Sequence, residues 1–172
     1  MILTFKKCTL KDIDLLTRIS WQTFYNAYKE QNDPENFKSF LDDTFNKKKL
    51  TNELKDKNCC FYFVYESTEL VGYLKLNEKE AQTEIFDKTT LELERIYILD
   101  HFQGKGIGKQ MLQKAITFAK SKSVAFIWLG VWEINTNAIE FYKSQGFTIF
   151  DSHIYRVGNE DQKDWLMKMD LS

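Results

Sequence analysis

The sequence predicts an α/β (α+β) protein built on one mixed β-sheet. Segments typical of strands and segments typical of amphipathic helices both occur along the 172 residues. Strands alternate with helices only in the second half of the chain, whereas two strands follow each other directly in the middle. Because a purely parallel sheet requires alternation throughout, a mixed sheet is expected.

The first third of the chain is predicted to be one strand followed by helices. The strand is ILTFKKC, and the segment TLKDIDLLTRISWQTFYNAYKE carries apolar residues at helical spacing. Thr9 is its candidate N-cap, with Asp12 three residues later as in a capping box. A second, short helix is expected after the turn that contains Pro34. A third segment, KKKLTNELKDK, is so highly charged that we expect it to be solvated.

The remainder alternates between strand and helix patterns. CCFYFVYE and LVGYLKLN, joined by a polar turn, predict a β-hairpin, and the polar stretch EKEAQTEIFDKTT follows it. LELERIYIL and VAFIWLGVW predict strands, with a helix from Ile107 to Lys120 between them. NTNAIEFYKSQGF predicts a helix closed by Gly146 at the C′ position. FTIFDSHIYRVG and DWLMKMDL predict two final strands.

Length and composition narrow the class of protein. No linker rich in Gly, Ser or Pro divides the chain, so residues 1–172 are expected to form a single domain. The formal net charge of −1 argues against direct nucleic-acid or membrane binding. No apolar run reaches about 18 residues, which predicts a soluble, cytoplasmic protein. Three cysteines and two histidines lack the spacing of a disulfide framework or a zinc site, so reduced thiols and no metal are expected.

The glycine-rich stretch QGKGIG, residues 103–108, lies between a predicted strand and a predicted helix. Such a loop presents free backbone N–H groups at the positive end of a helix dipole, which favours an anion. Its spacing does not match the P-loop or the dinucleotide-binding fingerprint. From the loop alone, a site for another pyrophosphate cofactor and a tight turn without a ligand are equally open.

Two separated motifs resemble the GCN5-related N-acetyltransferases (GNAT). Gln103–Gly108 resembles motif A of that family, and the segment from Asn135 to Phe147 resembles motif B. FYNAYKEQNDPENF, LELERIYI and IWLGVWE further resemble the PaiA-type bacterial polyamine acetyltransferases. The resemblance therefore covers most of the chain.

The resemblance implies a mixed, mostly antiparallel sheet, with helices on both faces, that splays apart between the strands Leu91–Leu99 and Ala125–Trp132. Acetyl-CoA would lie in the resulting gap, with its pantetheine arm along one strand and its pyrophosphate on the glycine loop. The cofactor-binding residues implied in this way are Ile96, Tyr97, Ile98, Gln103, Gly104, Lys105, Gly106, Ile107, Gly108, Lys109, Asn135, Asn137, Ala138 and Tyr142.

Tyr142 is the candidate general acid that the resemblance implies. A tyrosine with a pKa of about 10 can donate a proton to a leaving thiolate at neutral pH. The alternative interpretation is a core tyrosine beside Phe141, in a chain with 15% aromatic residues. Asn135 likewise has an ordinary alternative as a helix N-cap, and it could serve both purposes.

Glu92 and Glu94 are the candidate bases. An alkyl ammonium is neutral at pH 7 only to about one part in 10³, so the enzyme must remove a proton before the amine attacks. Alternate residues of a strand face the same side, which predicts that both carboxylates lie near the splay. Related acetyltransferases align a glutamate with one or the other position, and we slightly favour Glu94. The alternative is a solvated pair, or a partner for Arg95.

The acceptor side is predicted from residue chemistry. Carboxylates pair with ammonium groups and aromatic rings add cation–π contact, so Tyr25, Tyr28, Trp132 and Glu94 are candidate substrate-binding residues. The main hypothesis is direct acetylation of a polyamine such as spermidine or spermine. Acetylation of a protein N-terminus or lysine, a regulatory protein that senses CoA or polyamines, and CoA binding without catalysis are the alternatives. A homodimer is possible.

Overall fold

The computed structural model describes residues 2–171. Its seven strands form one sheet in the order β1-β2-β3-β4-β5-β7-β6. The elements are β1 (Leu3–Lys7), α1 (Ile13–Tyr28), α2 (Pro34–Thr44), α3 (Lys47–Lys55), β2 (Cys59–Glu66), β3 (Glu69–Glu78), β4 (Thr90–Ile98), α4 (Ile107–Ser121), β5 (Phe126–Trp132), α5 (Thr136–Ser144), β6 (Thr148–Val157) and β7 (Glu160–Asp170).

The sheet is mixed and mostly antiparallel, which confirms the prediction. β4 and β5 are its parallel pair, and they are paired only from Thr90↔Phe126 to Glu92↔Trp128. Beyond Glu92, β4 continues against β3, whereas β5 continues against β7 as far as Trp132↔Asp164. The two central strands therefore part and leave a gap between them, as the resemblance implied.

β4 carries an irregularity where the gap opens. Its register with β3 passes from Leu76↔Leu93 to Lys75↔Arg95, so Glu94 is the extra residue of a β-bulge. A bulge redirects side chains, and those of Glu94 and Arg95 both take part in one buried ion cluster. The local backbone thus determines the surroundings of one of the two predicted bases.

Helices cover both faces of the sheet. α4 and α5 pack on one face through a core that contains Met111, Leu112 and Ile139. α1, α2 and α3 cover the other face, where Leu16 and Leu50 are fully buried. The site described below lies between these two layers, along the gap.

The helix starts agree with the capping signals. Thr9 and Asp12 form the predicted capping box, at a short 3₁₀ turn that leads into α1. Asp33 accepts a hydrogen bond from the Asn36 amide and caps α2, whose first residue is Pro34.

The prediction that the third helix is solvated is wrong in part. Lys47 is exposed and pairs with Asp14. Elsewhere on α3, Leu50 is buried, and the Glu53 carboxylate lies 3.1 Å from Lys75 Nζ. The composition of a charged helix does not reveal that one of its carboxylates enters the core.

Within residues 2–171 no helix has the length and apolar character needed to cross a membrane.

Candidate active site

A cavity of about 880 Å³ occupies the gap between β4 and β5. Its walls come from β4, β5, the glycine loop, α1, α5, β6 and β7. Most of the residues predicted from the two motifs line it. The cavity is thus continuous from the glycine loop on one side of the sheet to the α1 and β6–β7 side on the other.

The glycine loop ends at the N-terminus of α4. Gly104 and Gly106 have φ values of 75° and 77°, and Gly106 is the N-cap residue. A side chain is strained in this left-handed region, which accounts for glycine at both positions. The Gln110 amide is hydrogen-bonded to the Gly106 carbonyl, so the amides of the preceding helical turn remain available for an anion.

Two contacts hold the loop against its neighbours. Gln103 Nε2 donates to the Ile98 carbonyl at 3.3 Å, which ties the loop to the end of β4. A Cβ at Gly108 would lie 3.4 Å from Ile98 Cδ1 and 3.8 Å from Phe141 Cζ, so α4 comes close to β4 and α5 there. Lys105 lies over the Phe102 ring, and Ile107 is buried in the core. Because the Ile107 side chain is buried, this residue can contact a ligand only through its backbone.

The backbone of Ile96, Tyr97 and Ile98 has one free edge. These residues pair with Leu74, Tyr73 and Gly72 of β3 on one side, while the other side faces the gap. Unpaired strand edges bind extended chains by main-chain hydrogen bonds. The free edge of β4 therefore fits an extended amide-containing arm.

α5 contributes the motif B residues. Asn135 caps the helix, since its side chain accepts from the Ala138 amide at 3.3 Å. Asn135, Asn137, Ala138 and Tyr142 all line the cavity. The Tyr142 ring packs against Phe141 and Phe147 with centroid distances of 5.3 and 5.9 Å. Burial raises the pKa of Tyr142 well above its usual value, so the hydroxyl stays protonated and can act as a donor.

Glu94 is held in ion pairs. Its carboxylate contacts Lys75 Nζ, Arg95 Nη2 at 3.1 Å and Asn77 Nδ2 at 2.6 Å. Although burial works in the opposite direction, the charges of Arg95 and Lys75 lower its pKa to about 2. A carboxylate stabilised as an anion in this way is a poor proton acceptor at neutral pH.

Glu92 lies on the same face, as predicted, but in different surroundings. Its carboxylate accepts from Thr83 Oγ1 at 2.6 Å, the Thr83 amide at 2.9 Å and Asn77 Nδ2 at 3.0 Å. Burial and the nearby charge of Glu94 raise the pKa of Glu92. Within residues 2–171 it forms no ion pair, so its charge is balanced only by hydrogen bonds.

The predicted acceptor residues separate into two groups. Tyr28 and Trp132 line the cavity with ring centroids 6.0 Å apart, and Tyr28 Oη lies 3.5 Å from Tyr97 Oη. Tyr25 lies elsewhere, because its ring stacks on Trp21 at 5.0 Å between α1 and α2. The pattern of α1 did not distinguish the face turned to the sheet from the face turned to α2.

Three further cavity-side residues were not predicted. His153 of β6 and Asp164 of β7 line the cavity, and Glu84 contacts His153 from the polar stretch after β3. His153 lacks a sequence neighbour that would indicate a role, and Glu84 lies 69 positions away. No short-range pattern could have brought these three together.

Comparisons with known proteins agree with this geometry. A family model described as the Acetyltransferase (GNAT) family matches residues 14–147, which is more than half of the chain. The chain belongs to the GNAT family. An uncharacterized N-acetyltransferase in the pepI 3′ region of Lactobacillus delbrueckii subsp. lactis is 40% identical over 161 residues, covering 94% of this chain and 93% of that protein.

A curated relative and a solved structure, both from Thermoplasma acidophilum, extend the comparison. A spermidine N(1)-acetyltransferase is 24% identical over 160 residues, covering 88% of this chain and 92% of that protein. A crystal structure of the PaiA N-acetyltransferase in complex with coenzyme A superposes with a TM-score of 0.78 at 22% identity, covering 99% and 100% of the two chains. At this identity the structural likeness supports the GNAT fold.

The GNAT protein is accordingly an acetyl-CoA-dependent N-acetyltransferase, with acetyl-CoA as cosubstrate. The cavity fits that molecule, since it combines a free strand edge with a helix N-terminus at one end. Within the part of the chain that the structure describes, no group of three or more His, Cys, Asp or Glu side chains is arranged so that it could hold a metal ion.

Proposed function

We propose that this GNAT protein transfers the acetyl group to a primary amine of a polyamine such as spermidine or spermine. The observation that carries the proposal is the charge of the acceptor side of the cavity. Glu92 and Asp164 line it, and within residues 2–171 neither forms an ion pair with a lysine or arginine. Carboxylates that no lysine or arginine neutralises favour a cationic ligand.

Aromatic rings strengthen the same argument. Tyr28 and Trp132 border the acceptor side, where their faces can contact an ammonium or an alkyl chain. The name of the Thermoplasma acidophilum relative, a spermidine N(1)-acetyltransferase, is consistent with a polyamine substrate.

On this proposal the chain holds acetyl-CoA by its backbone. The free edge of Ile96–Ile98 binds the pantetheine arm, and the amides from Gly104 to Lys109 bind the pyrophosphate. Asn135 orients the arm near its thiol end while it caps α5. When bound, acetyl-CoA would supply an activated acetyl thioester.

The chemistry proposed for the chain's residues is a direct transfer to the amine. Tyr142 donates its hydroxyl proton to the leaving thiolate, a role that typically contributes about 10²- to 10⁴-fold. Glu92 attracts the cationic acceptor, whereas Glu94 is already neutralised by Lys75 and Arg95. Of the described residues, no cysteine lines the cavity, so an acyl-enzyme through a thiol finds no support.

We further propose that residues 1–172 form one acetyltransferase domain. All seven strands belong to a single sheet, and the cavity draws residues from α1 near the start to β7 near the end.

The first test measures steady-state CoA release with acetyl-CoA and a panel of spermidine, spermine, an aminoglycoside and a lysine peptide. We expect the polyamines to have the highest kcat/KM. Tyr142→Phe is expected to lower kcat about 10²- to 10⁴-fold with little change in acetyl-CoA affinity. Tyr62→Phe, on β2 outside the cavity, makes the same chemical change and should retain wild-type turnover.

Each alternative hypothesis predicts a different result. Turnover of the lysine peptide alone would replace the polyamine proposal with protein acetylation. Acetyl-CoA binding without turnover of any amine would indicate a sensing protein. Unchanged turnover in Tyr142→Phe would exclude the acid role of Tyr142.

A further inference from the structure

His153 lies between two carboxylates on the β6–β7 wall of the cavity. Its Nδ1 is 2.9 Å from Glu84 Oε1, and its Nε2 is 3.7 Å from Asp164 Oδ2. The His153 side chain is 17% exposed and that of Asp164 is 14% exposed, so the pair is largely shielded from solvent. Neither Glu92 nor Glu94 contacts a histidine in this way.

The contact with Glu84 determines which nitrogen is free. A neutral imidazole carries one N–H, and the carboxylate at 2.9 Å favours that proton on Nδ1. The lone pair of Nε2 then points toward Asp164 and the cavity. A distance of 3.7 Å is too long for a direct hydrogen bond, but two acceptors at this separation can share one ammonium donor.

Gly130 places this pair at the gap. A Cβ on Gly130 would lie 3.3 Å from Asp164 Oδ2 and 3.5 Å from His153 Nε2, so both groups lie directly against the β5 backbone. Gly130 is two residues beyond Trp128, the last residue of β5 that pairs with β4. The imidazole and the carboxylate therefore border the gap just after it opens.

Carboxylates on two sides of His153 favour uptake of a proton by its ring. Asp164, from β7, and Glu84, from the stretch between β3 and β4, raise the pKa of His153 above its ordinary value of 6.5, although burial works in the opposite direction. Tyr28 of α1 and Tyr155 of β6 are the phenols near Asp164, and burial keeps both neutral by raising their pKa.

The two glutamates are less suited to accept a proton. Glu94 is stabilised as an anion by Lys75 and Arg95, and Glu92 already accepts three hydrogen bonds from Thr83 and Asn77. His153 keeps one ring nitrogen that accepts no hydrogen bond from the described residues.

We infer that His153 is a further catalytic residue, which binds the acceptor ammonium together with Asp164 and accepts its proton at Nε2. The inference rests on the N-acetyltransferase activity and does not depend on the acceptor being a polyamine. The neutral amine forms the new C–N bond as the C–S bond breaks, and Tyr142 protonates the thiolate. Of the ammonium's three protons, one stays on the amide, one replaces the Tyr142 proton transferred to the thiol, and one leaves through His153 to solvent.

The test is the pH dependence of kcat/KM, measured with spermidine, or with the lysine peptide if spermidine is not acetylated. Between pH 5 and 9 the acceptor amine stays an ammonium. A fall of kcat/KM toward low pH, the acid limb of the profile, therefore reports the protonation of a group of the enzyme. Wild type should lose activity as the pH falls through a value above 6.5. His153→Gln should lose about 10²- to 10⁴-fold at neutral pH and should lack this limb. His101→Gln, a change at the other histidine, should match wild type.

Asp164→Asn tests the same inference with His153 in place. Removing this carboxylate removes one cause of the raised pKa, so the acid limb should move to lower pH. Asp161→Asn, an exposed site on β7 near Arg156, should leave the limb unchanged. NMR titration of the His153 ring measures its pKa directly without any substrate, and His101→Gln assigns the two histidine signals.

Distinct results would overturn the inference. One is an acid limb that persists in His153→Gln and disappears in Glu92→Gln, which would make Glu92 the base. Another is a His153 pKa at or below 6.5 by NMR in wild type. If the lysine peptide is acetylated and spermidine is not, the polyamine proposal fails while the role of His153 is still tested by the same variants.

Discussion

Glu92 and Glu94 show how two residues of one type on one strand acquire opposite properties. The Asn77 amide contacts both carboxylates. Lys75 and Arg95 lower the pKa of Glu94 to about 2, whereas burial and the charge of Glu94 raise the pKa of Glu92. Their chemistry depends on which cations the fold brings to them.

Glu94→Gln should therefore affect stability first. The substitution leaves Lys75 and Arg95 buried with Glu53 as their remaining anion, and breaking such a cluster typically costs about 3–5 kcal/mol. Urea denaturation followed by tryptophan fluorescence measures the loss. Glu140→Gln removes one partner of the exposed pair with Lys143 and should cost less than about 1 kcal/mol. Equal losses in both variants would contradict the structural role of Glu94.

The same residue predicts a pH dependence of stability. The folded pKa of Glu94, about 2, lies below its ordinary value of 4.5, so its contribution is complete above 4.5 and is lost as the pH falls toward 2. Wild type should lose more free energy of unfolding than Glu94→Gln over that range. Parallel curves for the two proteins would show that Glu94 is not stabilised as an anion in the fold.

At the scale of elements, the proposed anion site lies at the junction of β4, the glycine loop and α4. The strand supplies a free edge, the loop turns the chain, and the helix presents its first amides. The hydrogen bond from the Gln103 side chain to the Ile98 carbonyl holds the loop against the end of β4. A strand edge, a glycine loop and a helix N-terminus are each common. The proposed site arises because the three follow one another directly in the chain.

Gly106→Ala should weaken cosubstrate binding. An alanine held at φ 77° costs roughly 1–2 kcal/mol, and the strain falls on the N-cap residue of α4. We expect the Kd for CoA, measured by calorimetry, to rise by up to about tenfold. Gly146→Ala, at φ 95° beyond the end of α5, imposes similar strain away from the loop. That control should lower stability but retain CoA affinity; a weakened affinity there as well would argue against a specific role of the loop.

The polar stretch between β3 and β4 is another element with an unexpected role. Thr83 binds Glu92, Glu84 binds His153, and Gln82 accepts from Trp128 Nε1 at 2.8 Å. The polar side chains of this connection thus contact residues of the cavity and the core, and Thr83 itself lines the cavity.

At the scale of the whole molecule, the gap divides the sheet into two halves joined by a short parallel contact. β1 to β4 form one half, and β5 to β7 the other. Glu92 belongs to the first half, while His153 and Asp164 belong to the second. The proposed acceptor site therefore requires both halves in their folded arrangement.

Hydrogen exchange measured by mass spectrometry should show where CoA binds across this gap. Saturating CoA is expected to protect amides of residues 93–98 and 104–109, because it pairs the free strand edge and the helix N-terminus. Pantetheine, which lacks the pyrophosphate, should protect the strand and leave the loop unchanged. Protection confined to β1 and β2 would contradict this placement.

Much of this arrangement could be predicted from short-range patterns. Local signals depend only on residues within a few positions of each other. They include the strand and helix periods, the capping box at Thr9 and the proline at the start of α2. The glycine loop was predictable for the same reason, because the role proposed for it depends on consecutive backbone amides. The expected cavity residues of motifs A and B lie where those patterns placed them, apart from the Lys105 and Ile107 side chains.

The sequence by itself determined the mixed fold, the resemblance to the GNAT family and the acetyl-CoA cosubstrate. Only the tertiary structure decided that Glu94 is paired, that Tyr25 lies outside the cavity and that His153 meets Glu84 and Asp164. The physical reason is that the charge of a side chain depends on its neighbours in space. Those neighbours come from segments far apart in the chain, and no local pattern encodes them.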